Sequence, residues 1–243
     1  MKYIKLFSKE SEYESFKNGD EWVLPNLSLI EETNEIKMTP LVINNDPANG
    51  HEYVDLGLPS GTLWATCNVG ASKPPQSGLY FAWGNTVGYT ADDVRNGNHV
   101  FDGEHDVLDG NNDLYNEYIK YNSTDGLTTL LPEDDAASVN MGGEWHMPTK
   151  EQLEELSANT TNTWYAGGVL FTSNINGNTL FIPAAGYGRD GSVTGEGSYA
   201  NVCSSSLSVN SMNNVCLLMC TSYGVNMSYL NRYMGYSVRG VLG

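Results

Sequence analysis

The pattern of apolar and polar positions predicts one clear helix in the second half of the chain. In the segment EWHMPTKEQLEELSAN, Thr149 and Gln152 have the spacing of a capping box, in which each side chain bonds to the backbone N–H of the other. Leu153 and Leu156 then recur at helical spacing and give the segment one apolar face. We therefore expect an amphipathic helix that begins just after Thr149.

Short strands are predicted for most of the remaining positions. LYFAWGN has the pattern of a short aromatic strand, and LFIPAAGYGRDGSVTGEGSY that of two strands joined at Asp190-Gly191. The segments VCSSSLSV, NVCLLMCTS, YGVNMSYL and YSVRGVLG then form a series of strands separated by Asn, Ser and Gly turns. Residues 86–130 are polar and rich in Gly and Asn, which predicts a long irregular segment.

The first 45 residues differ from the rest and predict a separate small unit. KYIKLF can form a strand, and Ser11 with Glu14 can cap a short helix. Residues 46–50, DPANG, have the composition of a linker. The expected fold class is α+β, with a small N-terminal α/β unit over residues 1–45 and a larger domain over residues 51–243. The role expected for the small unit is attachment or oligomerisation.

The charge balance disfavours several classes of partner. The 243 residues include 12 Lys and Arg against 29 Asp and Glu, a formal net charge of −17. A nucleic-acid-binding surface needs clustered basic residues that displace counterions, and the sequence has no such cluster. Anionic membrane surfaces are disfavoured for the same reason. No apolar run approaches the length of a membrane span, and the first residues lack the apolar core of a signal peptide.

An uncharged stretch stands out against this acidic background. Residues 198–231 contain no Asp, Glu, Lys or Arg and are rich in Ser, Asn, Tyr, Met and Cys. One hypothesis is a binding face, because Tyr offers large contact area at low entropic cost and Ser and Asn offer adaptable hydrogen bonds. The alternative is that these residues are the polar strands and turns of a β-rich core. In a strand, side chains alternate between faces, so about half of Cys216, Leu217, Leu218 and Met219 should point inward.

The binding-face hypothesis predicts a set of contact residues that share polar or aromatic side chains and positions near predicted turns or strand ends. They are Tyr199, Asn201, Asn210, Asn213, Asn214, Tyr223, Ser228, Tyr229 and Asn231.

Several motifs in the larger domain resemble a known family. VDLGLPSGTLWATCNVGA, YFAWGN, LPEDDAASVNMGGEWHMPTKEQLEEL, IPAAGY and the terminal GYSVRGV occur in the order seen in the Fibrobacter succinogenes major paralogous domain and its relatives in gut Bacteroidetes and their phages. The resemblance implies a C-type-lectin-like domain with short strands, few helices and long loops, similar in fold to the formylglycine-generating enzyme. The chain departs from the family at Cys203, where an aromatic residue is usual, and at Gly240, where Pro is common.

Part of that family consists of variable proteins of diversity-generating retroelements, in which a reverse transcriptase rewrites adenine-containing codons near the end of the gene. The composition of residues 198–236 resembles such a variable region. The resemblance implies a receptor-binding or adhesion protein of a phage or mobile element. Its partners would be a protein or glycan receptor on a Bacteroidetes host and, through the N-terminal unit, phage structural proteins. Relatives of this kind are often trimers, so a homotrimer is one expectation.

The expected location is the virion, in a phage tail or fibre made in the host cytoplasm, and the bacterial cell surface is the alternative. Two further functions are weighed against the first. One is a bacterial surface adhesin or lectin-like protein of fixed specificity, in which the tail is structural. The other is an enzyme of the formylglycine-generating class, for which Cys216 and Cys220 are the candidate pair. We expect no enzyme activity and no cofactor.

Other chemically active residues are expected to be structural. Asp134 and Asp135 are neighbours, which rarely act as a catalytic pair because adjacent side chains diverge. His146 is a lone histidine beside Trp145, at the edge of a core. The four cysteines, with no metal-binding spacing, are expected to be small buried or half-buried thiols, and no metal is predicted.

One segment of the long loop leaves a cation site open as an alternative. Its oxygen-bearing residues do not have the register of an EF-hand, but a less regular oxygen-ligand site is conceivable there. These residues are Asp106, Asp109, Asn111 and Asp113. The triplets that C-type lectins use for calcium-dependent sugar binding are absent.

Overall fold

The computed structural model describes residues 48–102 and 118–243. The predicted N-terminal unit, over residues 1–45, lies outside the described residues. So do the four candidate cation ligands between residues 106 and 113. Both predictions therefore stay predictions.

The described residues form a mostly β structure with few helices, which is compatible with an α+β or a mostly-β fold. The strands are β1 (Tyr53–Asp55), β2 (Leu63–Asn68), β3 (Tyr80–Phe81), β4 (Thr160–Tyr165), β5 (Gly168–Ser173), β6 (Thr179–Pro183), β7 (Tyr187–Arg189), β8 (Ser192–Thr194), β9 (Ala200–Ser208), β10 (Ser211–Thr221), β11 (Gly224–Asn231), β12 (Tyr236–Ser237) and β13 (Arg239–Leu242). The α-helices are α1 (Ala91–Arg95), α2 (Ala136–Met141) and α3 (Lys150–Asn159), and Pro132–Asp134 forms a 3₁₀ turn.

All the sheets are small and antiparallel. Their strand orders are β1-β2-β13, β11-β10-β9, β12-β3, β4-β5-β6 and β7-β8. The sheet that contains the uncharged stretch is therefore β11-β10-β9, with β10 in the middle and β11 at one edge.

The predicted helix is confirmed as α3. Thr149 is its N-cap, and its side chain accepts a hydrogen bond from the backbone N–H of Gln152, while the Gln152 side chain accepts one from the N–H of Thr149. Leu153 and Leu156 are fully buried. The capping box satisfies backbone donors at the start of the helix, and the apolar face packs it against the core.

The predicted Asp190-Gly191 turn is also confirmed. It joins β7 to β8, with Arg189 paired to Ser192. Asp190 has a φ of 47° and Gly191 a φ of 71°. Both turn residues are thus left-handed, as the favoured two-residue hairpin turn requires.

The polar segment 86–130 is less irregular than predicted, because α1 lies within it. Thr90 and Asp93 form a capping box at its start, and Val94 is buried. The capping box can be recognised in the sequence TADD, but the helix is too short to show an apolar periodicity. The prediction of an entirely irregular segment is therefore wrong over these residues.

The core lies on both sides of β9 and β10. On one side, Val215 and Leu217 belong to a cluster that includes two buried tryptophans. On the other side, Leu218 and Cys220 pack with apolar side chains of α3 and β5. Because side chains alternate along a strand, a central strand between two apolar layers is buried on both faces.

The last strand closes the domain against β2. Arg239 is 1% exposed, and its guanidinium donates to the Asn68 Oδ1 at 2.9 Å and to the carbonyl oxygen of Ala65 at 2.8 Å. At Gly240, a Cβ atom would lie 2.6 Å from the Met141 Sδ. The backbone at Gly240 thus approaches a core side chain closely, so a larger residue there would require Met141 to move.

Candidate functional site

The uncharged stretch divides into two parts with different environments. Its interior part comprises residues 200–208 and 215–221, most of which are buried. Its outer part comprises residues 209–214 and 222–231, none of which is buried. The hypothesis of a β-rich core therefore describes the interior part, and the binding-face hypothesis stays a prediction that applies mainly to the outer part.

Asn201 is a correction to the predicted contact set. Its residue is 3% exposed, its side chain lies within 3.5 Å of the carbonyl oxygen of Gly186, and it pairs with Met219 across the β9–β10 ladder. β12 packs on β9, and the pairing with Met219 puts the Asn201 side chain on the face of the sheet opposite α3, beside the apolar cluster against which Met219 packs. Asn201 therefore belongs to the interior part and does not present its side chain to a ligand.

Five of the predicted contact residues lie at opposite ends of β10. Asn210 is exposed in the β9–β10 turn. At the same end of β10, Asn213, Asn214 and Asn231 are half-buried, and Asn214 pairs with Asn231. Tyr223 is 99% exposed in the β10–β11 turn. A strand rises about 3.3 Å per residue, so the ends of β10 are roughly 30 Å apart. These residues do not form one compact patch.

Ser228 and Tyr229 lie between those ends, on β11. Tyr229 is 39% exposed and pairs with Cys216, on the face of the sheet that carries α3. Ser228 pairs with Leu217 and therefore belongs to the opposite face. These two residues of the predicted set therefore point to opposite sides of the sheet.

Tyr199 is half-buried at the start of β9 and packs on local structure. Its ring centroid lies 6.3 Å from that of Tyr187. A Cβ atom at Gly195 would come within 2.2 Å of the Tyr199 ring, so only glycine leaves room for this ring. The Tyr199 ring is therefore held against its neighbours rather than projecting from the surface.

Sequence reasoning missed the apolar side chains that the outer part exposes. Val209 is 86% exposed in the β9–β10 turn, and Met212 is 41% exposed just after it. Asn226, on β11, is also exposed. Val209 is the last residue of the predicted strand VCSSSLSV, and its position at a strand end is the signal of exposure that the sequence contains.

Acidic side chains of α3 lie beside the Tyr229 face. The Nζ of Lys150 is 2.9 Å from the Oε1 of Glu154. This hydrogen bond to Glu154 is the main cause that holds the pKa of Lys150 above its usual value, and Tyr229 and Glu151 lie close enough to contribute. Lys150 thus forms an ion pair with Glu154, while the nearby Glu151 is exposed and adds a further negative charge.

The cysteines are buried or half-buried thiols, as predicted. Cys67 is half-buried, and Cys203, Cys216 and Cys220 are buried. Burial raises the pKa of Cys216 to about 11 and also raises the pKa values of Cys203 and Cys220. Cys216 and Cys220 are four residues apart on one strand, roughly 13 Å, which is beyond disulfide reach. Protonated, separated thiols do not favour cysteine-pair chemistry at neutral pH.

The other residues weighed for chemistry have structural partners. Asp135 caps α2 by accepting hydrogen bonds from the backbone N–H groups of Ala137 and Ser138, and it also accepts one from the N–H of Met147 at 2.8 Å. Asp134 accepts hydrogen bonds from Lys120 and from the Tyr121 hydroxyl.

His146 lies within hydrogen-bond distance of two carbonyl oxygens. Its Nδ1 is 2.9 Å from the carbonyl oxygen of Met147, and its Nε2 is 3.3 Å from that of Gly243. Over residues 48–102 and 118–243, no group of three His, Cys, Asp or Glu side chains comes together as a metal site. None of the helices in these ranges is long and apolar enough to cross a membrane.

Comparison with protein-family models, with curated proteins and with solved structures finds no match for this chain. The family resemblance therefore rests on the sequence motifs alone.

Proposed function

We propose that the protein is a receptor-binding or adhesion protein that uses the outer part of its uncharged stretch as the ligand-binding face. The observation that carries this proposal is the exposure of uncharged, contact-prone side chains in a strongly acidic chain. Tyr223 is 99% exposed, Val209 86%, Met212 41% and Tyr229 39%. Tyrosine is among the side chains that contribute most of the energy in protein recognition sites.

The interior part supports this proposal by fixing the backbone that displays the outer part. β10 is packed on both faces, and β11 pairs with it over eight consecutive residue pairs. Binding residues placed on a rigid scaffold lose little conformational freedom when they bind. Within this proposal, the scaffold is C-type-lectin-like, which the small sheets, short helices and compact core of the described residues favour.

The remaining elements of the proposal follow from the motif resemblance. The protein would be encoded by a phage or mobile element, carried on the virion and attached there by residues 1–45, and its receptor would be a protein or glycan of a Bacteroidetes host. Several copies, such as a homotrimer, would raise a weak affinity through avidity. The alternative is a surface adhesin of fixed specificity, which would use the same face without diversification.

The test is binding of the fluorescently labelled full chain to a panel of Bacteroidetes cells. We expect the double substitution Tyr223→Ala and Tyr229→Ala to reduce cell binding strongly, because it removes both tyrosines of the outer part. We also expect it to change the free energy of unfolding by less than about 1 kcal/mol, since both side chains are at the surface. Tyr165→Ala is the matched control, because Tyr165 is 63% exposed on β4, in another sheet.

Two outcomes would contradict the proposal. One is equal loss of binding in the Tyr165→Ala control, which would indicate a general surface effect. The other is a large loss of stability in the double variant, which would make these residues part of the core.

A further inference from the structure

β11 is an edge strand without the usual protection of edge strands. Its sequence, GVNMSYLN, contains no charged residue and no proline. Its pairing with β10 runs without a bulge from Thr221 and Gly224 to Asn214 and Asn231. Natural proteins usually blunt such an edge with charge, proline or a bulge, because its free backbone groups can pair with another strand.

The register identifies which backbone groups of β11 form no hydrogen bond with β10. Ser222 and Tyr223 form a two-residue turn, so the closing pair of Thr221 and Gly224 exchanges both backbone hydrogen bonds. Hydrogen-bonded and non-hydrogen-bonded pairs alternate along the hairpin, so the N–H and C=O groups of every second β11 residue point away from β10.

The outward groups are those of Val225, Met227 and Tyr229, followed by Asn231. The Asn231 carbonyl oxygen accepts a hydrogen bond from the Tyr236 hydroxyl at 3.0 Å, in agreement with this alternation. In the ranges 48–102 and 118–243, no strand pairs with the outer side of β11.

Side chains beside this edge would suit a basic strand. Val225 and Met227 are half-buried against the core and form an apolar ledge on the α3 face. Tyr229 continues this ledge next to Lys150, which is paired with Glu154, and the exposed Glu151 is nearby. The aliphatic stem of a lysine or arginine could lie over Met227 and Tyr229 with its charge directed to the glutamates.

β4 is a second uncharged edge strand and provides a comparison. Its sequence, TTNTWY, pairs with β5, and no other strand in the described part of the chain pairs with it. Thr161, Asn162 and Thr163 are all exposed, so both faces of the strand are open to solvent there. β4 also offers free backbone groups, but the side chains at these three exposed positions are polar.

We infer that the free edge of β11 is the point at which an extended, basic segment of the receptor adds as a further strand. This inference rests on the proposed receptor-binding function and names its mode of recognition. Backbone hydrogen bonds would supply affinity, and alternate side chains would supply specificity. A second copy of this chain that paired through its own β11 is a less suitable occupant, because β11 carries no basic residue to meet the glutamates.

The first experiment measures binding of a short fluorescein-labelled peptide of alternating lysine and valine to the full chain by fluorescence anisotropy. Met227→Pro removes an outward N–H without removing a hydrogen bond to β10. We expect it to weaken peptide binding about tenfold or more, since a backbone hydrogen bond is lost and the proline ring obstructs the edge. Met227→Leu, which keeps the N–H and a similar side chain, should bind like the natural chain.

Two further controls test the site and the charge. Asn162 points its N–H away from β5 in the same hairpin geometry, so Asn162→Pro makes the equivalent change on β4 and should leave peptide binding unchanged. A peptide with glutamate in place of lysine should not bind. Replacing Glu151 and Glu154 together by Gln should weaken binding of the basic peptide about threefold and reduce its salt dependence.

Hydrogen exchange supplies a readout specific to strand addition. On saturation with the peptide, the amide hydrogens of Val225, Met227 and Tyr229 should become protected. Those of Asn226 and Ser228 already bond to β10 and should change little. Uniform protection along β11, or none, would contradict strand addition even if the peptide binds.

Failure of this inference can be separated from failure of the proposed function. If the chain binds host cells and Met227→Pro binds them equally well, the adhesion function stands and the edge mechanism is wrong. If the peptide binds with alternating protection but no cell is bound, the edge site stands and the adhesion function is wrong. If light scattering reveals dimers that Met227→Pro abolishes, the occupant of the edge is a second copy of this chain and not a segment of the receptor.

Discussion

β10 and β11 are neighbouring strands of one hairpin, and both are uncharged, yet their environments are opposite. In β10, Val215, Cys216, Leu217 and Leu218 are all fully buried. In β11, no residue is buried. The difference shows that place in the sheet, together with the apolar run VCLLMC of β10, decides which part of an uncharged stretch is core.

The physical cause is coverage of the two strands. β10 has a neighbouring strand on each side, α3 packs on it from one face, and an apolar cluster covers the other. Among the described residues, β11 pairs with β10 and with no other strand. Substitutions that are identical in chemistry should therefore have different effects in the interior and outer parts.

The largest contrast is expected from one change made at two asparagines. Asn201→Asp places a carboxyl group in the interior part, where the Asn201 Oδ1 has no hydrogen-bond partner among the described residues. We expect a loss of about 3 kcal/mol in the free energy of unfolding at neutral pH, because an unpaired charge is buried. Asn210→Asp, in the exposed turn, should change it by less than about 0.5 kcal/mol. Chemical denaturation of both variants measures the difference.

The pH dependence of the same pair checks the cause. Burial raises the pKa of a carboxyl group, so the loss in Asn201→Asp should be smallest near pH 4 and should grow as the pH rises. A loss that does not change with pH would indicate altered packing instead of buried charge.

An intermediate effect is expected from the buried thiols at alkaline pH. Burial raises the pKa of Cys216 from 9.0 to about 11, so this thiol ionises more readily in the unfolded chain. Its contribution to stability is therefore complete below pH 9 and is lost as the pH rises towards 11. Between these values, Cys216 should lower the free energy of unfolding by about 1.4 kcal/mol per pH unit.

Denaturation of the natural chain and of Cys216→Ala at several alkaline pH values isolates this contribution. Cys216→Ala also alters packing, so the slope of the free energy of unfolding against pH is the quantity to compare. The slope of the variant should be shallower by the contribution of one proton. Equal slopes would show that the Cys216 thiol does not titrate differently in the folded and unfolded chains.

How far the sequence predicts this structure depends on how local the signal is. The Thr149 capping box and the Asp190-Gly191 turn are confirmed because neighbouring residues determine them. Asn201 and Asn210 look alike in sequence, and only long-range pairing makes one of them interior. The free edge of β11 likewise depends on which strands become neighbours, and strand order in a sheet leaves no local pattern.

The smallest effects on stability are expected at the exposed positions of the outer part. These positions should therefore tolerate the most natural variation. A surface substitution usually changes the free energy of unfolding by less than about 0.5 kcal/mol, so many residue types are compatible with the fold at Val209, Asn210, Tyr223 and Asn226. At an interior position such as Leu218, truncation to alanine costs about 2–5 kcal/mol. If the gene is diversified, variants that survive should therefore concentrate in the outer part.

Deep sequencing of the end of the gene in a natural population of its carrier tests this expectation. Substitutions should accumulate at adenine-containing codons of residues 209–214 and 222–231, while codons of the interior part and of residues 51–190 stay constant. Equal variation in both parts would contradict the division of the stretch, because most interior variants could not fold. A tail as constant as the scaffold would instead favour an adhesin of fixed specificity, in which the same exposed face serves one receptor.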